Sequence, residues 1–240
     1  MELKEPFKID KNGLYYIDSK DVKIEKFNFN EIVKSYGQRR DFYHIEGVSD
    51  YIIKDTSKLP LLFNTYRNKK MLENFQKKEG MVENIDFPVG YFLEEKGIKT
   101  IVPIYDGAVS IHELIKLYQF DDLKKYYQHD DNDVNNLISL CLDILDLVEI
   151  MYNADIVYRD ISAGNFVVYN NTTKVIDFEP GYVIFTKKKD KYYEILLHNY
   201  AVLVDYIWHK YGFKEVYYNP GKSFNEERIK VKSLIDKKRG

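Results

Sequence analysis

"VYRDISAGNFVVYNNTTKVIDFEPG", residues 157 to 181, is the stretch on which the reading of the whole chain turns. Three polar side chains, Asp160, Asn165 and Asp177, stand at fixed separations within apolar, β-prone sequence. Either they converge on one charged ligand, or they are turn residues punctuating two short strands. The Asn170-Asn171 pair bears on that choice. Set between two β-prone runs it predicts a hairpin turn, which returns the end of the second strand to the start of the first. Asp177 is thereby delivered near Asn165. Asp160, five residues before Asn165, shares a loop with it, so one loop can hold a carboxylate and an amide oxygen. Asp177 lies between Ile176 and Phe178, and a carboxylate in such a setting is costly without a cation.

Upstream of this stretch, apolar residues at Leu137, Ile138, Cys141, Leu145, Val148 and Tyr152 form one stripe and predict a long helix from Val134. "SIHELIKLY", from Ser110, predicts a shorter one. The first hundred residues have a different texture. Residues 27 to 55 alternate β-prone runs with Gly37 and Gly47 and predict a three-stranded antiparallel meander whose third strand ends at Lys54. Residues 61 to 79 lack Gly and Pro and carry Leu62, Tyr66, Met71 and Phe75 at near-helical spacing. "PVGYFLEE" and "KTIVPIYDG" add two strands, giving a five-stranded sheet with one helix inserted after strand three. The crossover from sheet to helices falls in "PIYDGA", residues 103 to 108. Downstream, "LLHNYAVLVDYIWHKYG" predicts another helix, with Leu196, Tyr200, Leu203, Val204, Ile207 and Trp208 as its apolar positions. The expected fold class is α+β, with a small antiparallel β-rich lobe over residues 1–103 and a helical lobe over 104–240, and a cleft between such lobes is where a ligand binds.

Composition narrows the function. The chain has 240 residues, 45% of them hydrophobic, enough for a real core. Its formal charge of -2 gives no global electrostatic argument for nucleic acid or for an anionic membrane. The single cysteine, Cys141, excludes a disulfide within the monomer. No stretch reaches the length of a membrane span and the first residues lack a signal-peptide core, so a cytoplasmic protein is expected. His44, His112, His129, His198 and His209 form no metal-ligand spacing.

"YRDISAGN" followed by "IDFE" resembles the catalytic loop and metal-binding motif of the protein-kinase-like superfamily, whose patterns are H-R-D-x-x-x-x-N and D-F-G. Tyr158 stands at the His position, Arg159 and Asp160 match, Asn165 falls on the amide position, and Glu179 replaces the Gly of the second motif. The superfamily also pairs a lysine at the end of strand three with a glutamate on the next helix. Lys54 closes "YIIK" and Glu73 lies in "MLENF", with Glu79 as the weaker alternative. "PIYDGAVSIHELI" is similar to the hinge segment, where backbone groups around Ile104 to Asp106 would meet an adenine edge.

The resemblance covers residues 27 to 181 and implies a two-lobed kinase-like fold and an ATP- and Mg2+-dependent phosphotransferase. It assigns Lys54, oriented by Glu73, to the nucleotide phosphates, Asn165 and Asp177 to metal, and Asp160 to the acceptor proton. The acceptor hydroxyl could belong to a glycan or to a protein Ser or Thr. Three departures stand against this. "SYGQRRDF" offers only Gly37 to the phosphates, with Arg39 or Arg40 as the alternative source of charge. Glu179 removes backbone freedom from the metal-binding motif, although Gly181 follows. Only 63 residues follow Asp177, with no A-P-E segment, so the helical lobe is reduced and is more similar to compact bacterial kinases, including lipopolysaccharide core heptose kinases. A catalytically silent kinase-like binding module is the competing reading. Arg159 either steadies the loop through a neighbouring carboxylate or reads a phosphorylated segment. The tail "RIKVKSLIDKKRG" carries six Lys and Arg among apolar residues, and is either a solvated helical end or a weak, peripheral contact for an anionic membrane.

Overall fold

The computed structural model describes residues 3–27, 41–55, 61–78, 85–95, 97–116, 120–178, 180, 182–213 and 219–236, the side chains of 27, 41, 61–64 and 122 excepted. The fold is mixed, with a curled, largely antiparallel sheet and several helices. The chain divides into two compact units. The first comprises residues 1–32, 37–106 and 178–181, and the second residues 33–36, 107–177 and 182–240.

The first unit is built on a seven-stranded sheet in the order β1-β2-β6-β7-β5-β4-β3. Its strands are β1 (Lys8–Ile9), β2 (Tyr15–Asp18), β3 (Ile24–Phe27), β4 (Asp41–Ile45), β5 (Val48–Asp55), β6 (Gly90–Glu94) and β7 (Gly97–Pro103). The expectation of five strands is too low. β1 and β2 hydrogen-bond to each other around the Asp10–Leu14 turn, where the Asp10 carboxylate accepts from the backbone N–H groups of Asn12 and Leu14. A short polar turn between two- and four-residue strands leaves little periodicity to read. Nor is the sheet wholly antiparallel, because β2 runs parallel to β6. Gly90 opens β6 at this seam, where a Cβ would fall 2.4 Å from the Tyr15 carbonyl oxygen, so no side chain fits. The expected first strand of the meander, after Phe27, and Gly37 with it, lie outside the described residues. β5 ends at Asp55, one residue beyond Lys54.

Helix α1 (Leu61–Gln76) covers one face of this sheet. Its Leu72 packs with Leu14, Tyr91 and Ile98. Thr100 faces Tyr91 across β6–β7 and Lys54 across β5–β7. Because side chains alternate along a strand, Lys54 and Thr100 share the helix-covered face with Tyr91 and Ile98. The opposite face carries Ile17, Ile45, Ile53, Phe92 and Ile101 as a second apolar cluster. The buried stripe of α1 is Asn68, Met71, Leu72 and Phe75, while Tyr66, expected on it, is 70% exposed.

The second unit is helical, with small sheets: α2 (Ile111–Lys116), α3 (Phe120–Tyr126), α4 (Asp133–Asn153), α5 (Tyr193–Lys210) and α6 (Phe224–Ser233). β8 (Val109–Ser110), β10 (Phe166–Tyr169) and β11 (Thr172–Val175) form one sheet, and β9 (Ile156–Tyr158) pairs with β12 (Val183–Phe185). α4 starts where the Asn132 side chain caps the N–H groups of Val134 and Asn135. Its six expected apolar positions are all buried, as are the six of α5. Tyr200 of α5 donates to the Cys141 carbonyl of α4 at 2.8 Å, which satisfies its hydroxyl inside the core. No helix among the described residues is long and apolar enough to cross a membrane.

The tail joins this core. Arg228 pairs with Asp146 and Glu149 of α4, Val231 and Leu234 are buried, and Lys230 donates to the Asn219 carbonyl. Ile229, Lys232 and Ile235 remain exposed, and residues 237–240 lie outside the described residues.

Candidate active site

The opening stretch folds as the hairpin its residues predict. Asn170 and Asn171 both take positive φ, +47° and +61°, the requirement of a type I′ turn between right-twisted strands. Phe166 pairs with Val175 at the open end of the hairpin, and one step further the Ile176 N–H donates to the Asn165 carbonyl at 3.0 Å. Asp177 follows directly. Its carbonyl accepts from the Tyr158 hydroxyl at 3.0 Å, a bond buried from solvent. Tyr158, at the end of β9, thus ties the start of the loop to the position after the hairpin, and its ring meets Phe166 edge-on at 6.2 Å.

The loop between Tyr158 and Asn165 is closed by its own main chain. Asn165 Nδ2 donates to the Asp160 carbonyl at 2.9 Å, and the Asn165 N–H donates to Ser162 at 3.0 Å. The Ala163 carbonyl accepts from the His112 N–H at the start of α2. Arg159 is held at both backbone groups, its N–H donating to the Tyr182 carbonyl at 2.9 Å and its carbonyl accepting from Asn199 of α5 at 3.1 Å. The Arg159 side chain is exposed and, among the described residues, makes no ion pair. Its backbone, not its guanidinium, steadies the loop.

This network selects an end of the Asn165 amide. The nitrogen is used on Asp160, so the oxygen is what Asn165 can present to a cation. Asn165 and Asp177 are each only 8% exposed, and an amide oxygen and a carboxylate are hard donors of the kind Mg2+ takes. The donor set therefore fits that ion. Among the described residues no group of three His, Cys, Asp or Glu side chains is placed to hold a metal. The Asp160 side chain is half-buried, and among the described residues its carboxylate makes no hydrogen bond or ion pair.

The far end of the hairpin is fastened as well. Asn171 exchanges two hydrogen bonds with the backbone of Gln128, at 2.6 and 2.9 Å, and Thr173 of β11 donates to Asp143 of α4 at 3.3 Å. Tyr127 donates to the same Asp143 oxygen at 2.8 Å. Burial pushes the Asp143 carboxyl above the usual carboxylate range, against the lowering effect of those two hydroxyls.

The candidate residues of the first unit are arranged differently. Lys54 is buried at 2% exposure in β5. Glu73 is half-buried on α1 and pairs with Lys70 at 3.6 Å, one turn earlier on the same helix, and not with Lys54. The physical reason is helical phase. Glu73 lies four residues after Lys69 and three before Gln76, and those two reach Tyr91 and Gly13, so Glu73 shares their side of α1 and not the buried stripe. The Ile104 N–H is already committed, donating to the Asp50 carbonyl at 3.0 Å, so it is not a donor for an adenine edge. Asp106 is exposed in the turn ahead of Gly107. Phe178, next to Asp177 in sequence, packs in the first unit edge-on to Phe75 and Phe87, at 5.3 and 5.2 Å. Gly37, Arg39, Arg40, Glu79, Glu179 and Gly181 lie outside the described residues.

Two side chains that hold the site were missed in sequence, the Tyr158 hydroxyl and Asn199, and Asn171 was read as a turn residue without its tie to Gln128. Only Tyr158 had a signal, its replacement of the expected histidine. The chain matches no known protein-family model, and no curated protein matches it significantly.

Proposed function

We propose that the chain is an ATP- and Mg2+-dependent phosphotransferase with a two-lobed, protein-kinase-like fold. The observation that carries this reading is the closed loop of the helical unit, which brings Asp160, Asn165 and Asp177 to the open end of one hairpin with the Asn165 oxygen presented. In this reading Asn165 and Asp177 hold the metal, which when bound would neutralise phosphate charge. Asp160 orients the acceptor hydroxyl and takes up its proton, and Lys54 binds nucleotide phosphates. In this reading the acceptor hydroxyl belongs to a glycan or to one specific folded protein, since a flexible peptide loses more entropy when ordered.

One observation favours the competing reading, a catalytically silent binding module: Glu73 is engaged with Lys70 and not with Lys54. Thermal unfolding with millimolar Mg-ATP tests the proposal. A ligand at 100 times its Kd adds about 2.7 kcal/mol of stability, so a clear rise in Tm is expected for the wild type and none for Asp177→Ala. No rise in either would reject nucleotide binding. A rise without turnover on any acceptor fraction would favour the module.

A further inference from the structure

Helix α5 turns most of its apolar residues inward, but Ile195, Val202 and Tyr206 stay out at 41%, 55% and 37% exposure. At roughly 100° per residue, Ile195 and Tyr206 fall within about 40° of Val202, so the three form one stripe. Asn199 lies at the edge of that stripe and holds the Arg159 carbonyl. The stripe therefore runs beside the loop that carries Asp160. Its opposite edge is charged. Glu194, His198, Asp205 and His209 all fall within about 80° of Val202, on the side away from Asn199. Glu194, His198 and His209 are exposed, and Glu194 and His198 make no hydrogen bond or ion pair among the described residues. Asp205 meets His209, one turn further on, through one carboxylate oxygen at 3.3 Å and keeps the other.

We propose that this face of α5 is a self-association surface, on which the α5 helices of two copies of the chain pack antiparallel about a two-fold axis between Ala201 and Val202. The order of the charges selects a second copy as the occupant. A two-fold axis perpendicular to two antiparallel helices brings the same flank of each together and pairs positions that stand equally far from it. Glu194 then falls opposite the partner's His209, and His198 opposite the partner's Asp205. Every carboxylate on the flank meets an imidazole, an N–H donor, and no like pair forms. Val202 packs on the partner's Val202 at the axis, and Ile195 with the partner's Tyr206 extends the apolar strip on either side. A face about 27 Å long and about 10 Å wide is smaller than the roughly 800 Å2 that each partner gives to a standard interface, so pairing should be weak and concentration-dependent. Nothing in this pairing depends on phosphoryl transfer.

Sedimentation equilibrium of the full chain, from micromolar to millimolar concentration, tests this. The wild type should pass from monomer to dimer over that range. Val202→Glu sets two carboxylates at the axis and should leave a monomer throughout, with an unchanged Tm because the position is exposed. Glu194→Lys and His209→Glu should each raise the dimer Kd about tenfold, since the symmetric dimer loses two flank pairs at once. An equimolar mixture of these two variants should recover wild-type association or better, because each chain supplies the charge that the other needs. A wild type that stays monomeric at millimolar concentration would overturn the proposal, and so would association that survives Val202→Glu. A mixture that associates no more tightly than either variant alone would overturn the antiparallel pairing.

Discussion

In the helical unit, Asp160, Asn165 and Asp177 are placed by bonds to the backbone of the loop and hairpin that carry them: a turn, a hairpin register and one tyrosine hydroxyl. In the sheet unit, Lys54, Thr100 and Asn68 are placed by packing between a helix and strands far apart in sequence. The first arrangement lets a side chain change without moving the chain that carries it. The second couples every polar side chain to the fit of the layer around it. Function and stability should therefore separate in one unit and move together in the other.

The largest effect expected from this contrast is on turnover. Asp160→Asn leaves the carbonyl that Asn165 grips in place, so the unfolding midpoint should stay within experimental error while phosphoryl transfer falls by roughly a thousandfold or more. Parallel loss of stability and activity would mean that the loop is not fixed by its backbone. Next in size is Tyr158→Phe, which removes the buried bond to the Asp177 carbonyl and keeps the ring against Phe166. A loss of about 1–2 kcal/mol in urea unfolding is expected, and no measurable loss would show that the hairpin end holds itself.

The smallest effect is at Asp143, where burial holds the carboxyl above its ordinary range. The folded chain keeps this proton at pH values where the unfolded chain, with a pKa of about 4, has released it. The folded state thus binds more protons, and stability falls as pH rises from there to the raised folded pKa. Asp143→Asn cannot ionise, and its amide oxygen can still accept from Tyr127 and Thr173. The variant should gain on the wild type as pH rises from about 4 toward neutral. A difference that stays constant across that range would show that Asp143 does not titrate in this window.

How much could be read in sequence follows the same division. Asp160, Asn165, Asp177 and the Asn170-Asn171 turn depend on separations of a few residues, and local separations survive in a string of letters. The apolar stripes of α4 and α5 were legible for the same reason, since each repeats over several turns. Glu73 was not. Its distance from Lys54 along the chain is right, but which side of α1 meets the sheet depends on Leu72 finding Leu14, Tyr91 and Ile98, contacts that no periodicity announces. Tyr66 fails on the same point: it fits the helical spacing and faces water. β1 and β2 escaped notice because a two-residue strand and a polar turn carry no pattern long enough to see. The Ile104 N–H could not be known to be taken, because its acceptor, Asp50, lies on another strand.

The seam between β2 and β6 also bears on the order in which the molecule can be assembled. Tyr15 to Asp18 leave the ribosome early, but their partners Gly90 to Leu93 follow only after β3, β4, β5 and α1 have been made. Until then β1 and β2 are a small hairpin with an unpaired edge, and a hairpin of that size is barely stable in water. Closing the sheet must wait for a distant segment, a high-contact-order step of the kind that slows folding. Gly90 is where that closure makes its tightest fit, since the arriving strand must slide against the Tyr15 carbonyl with no side chain between. A nascent chain stalled before β6 would therefore present its first strands as a sticky end to any other strand nearby.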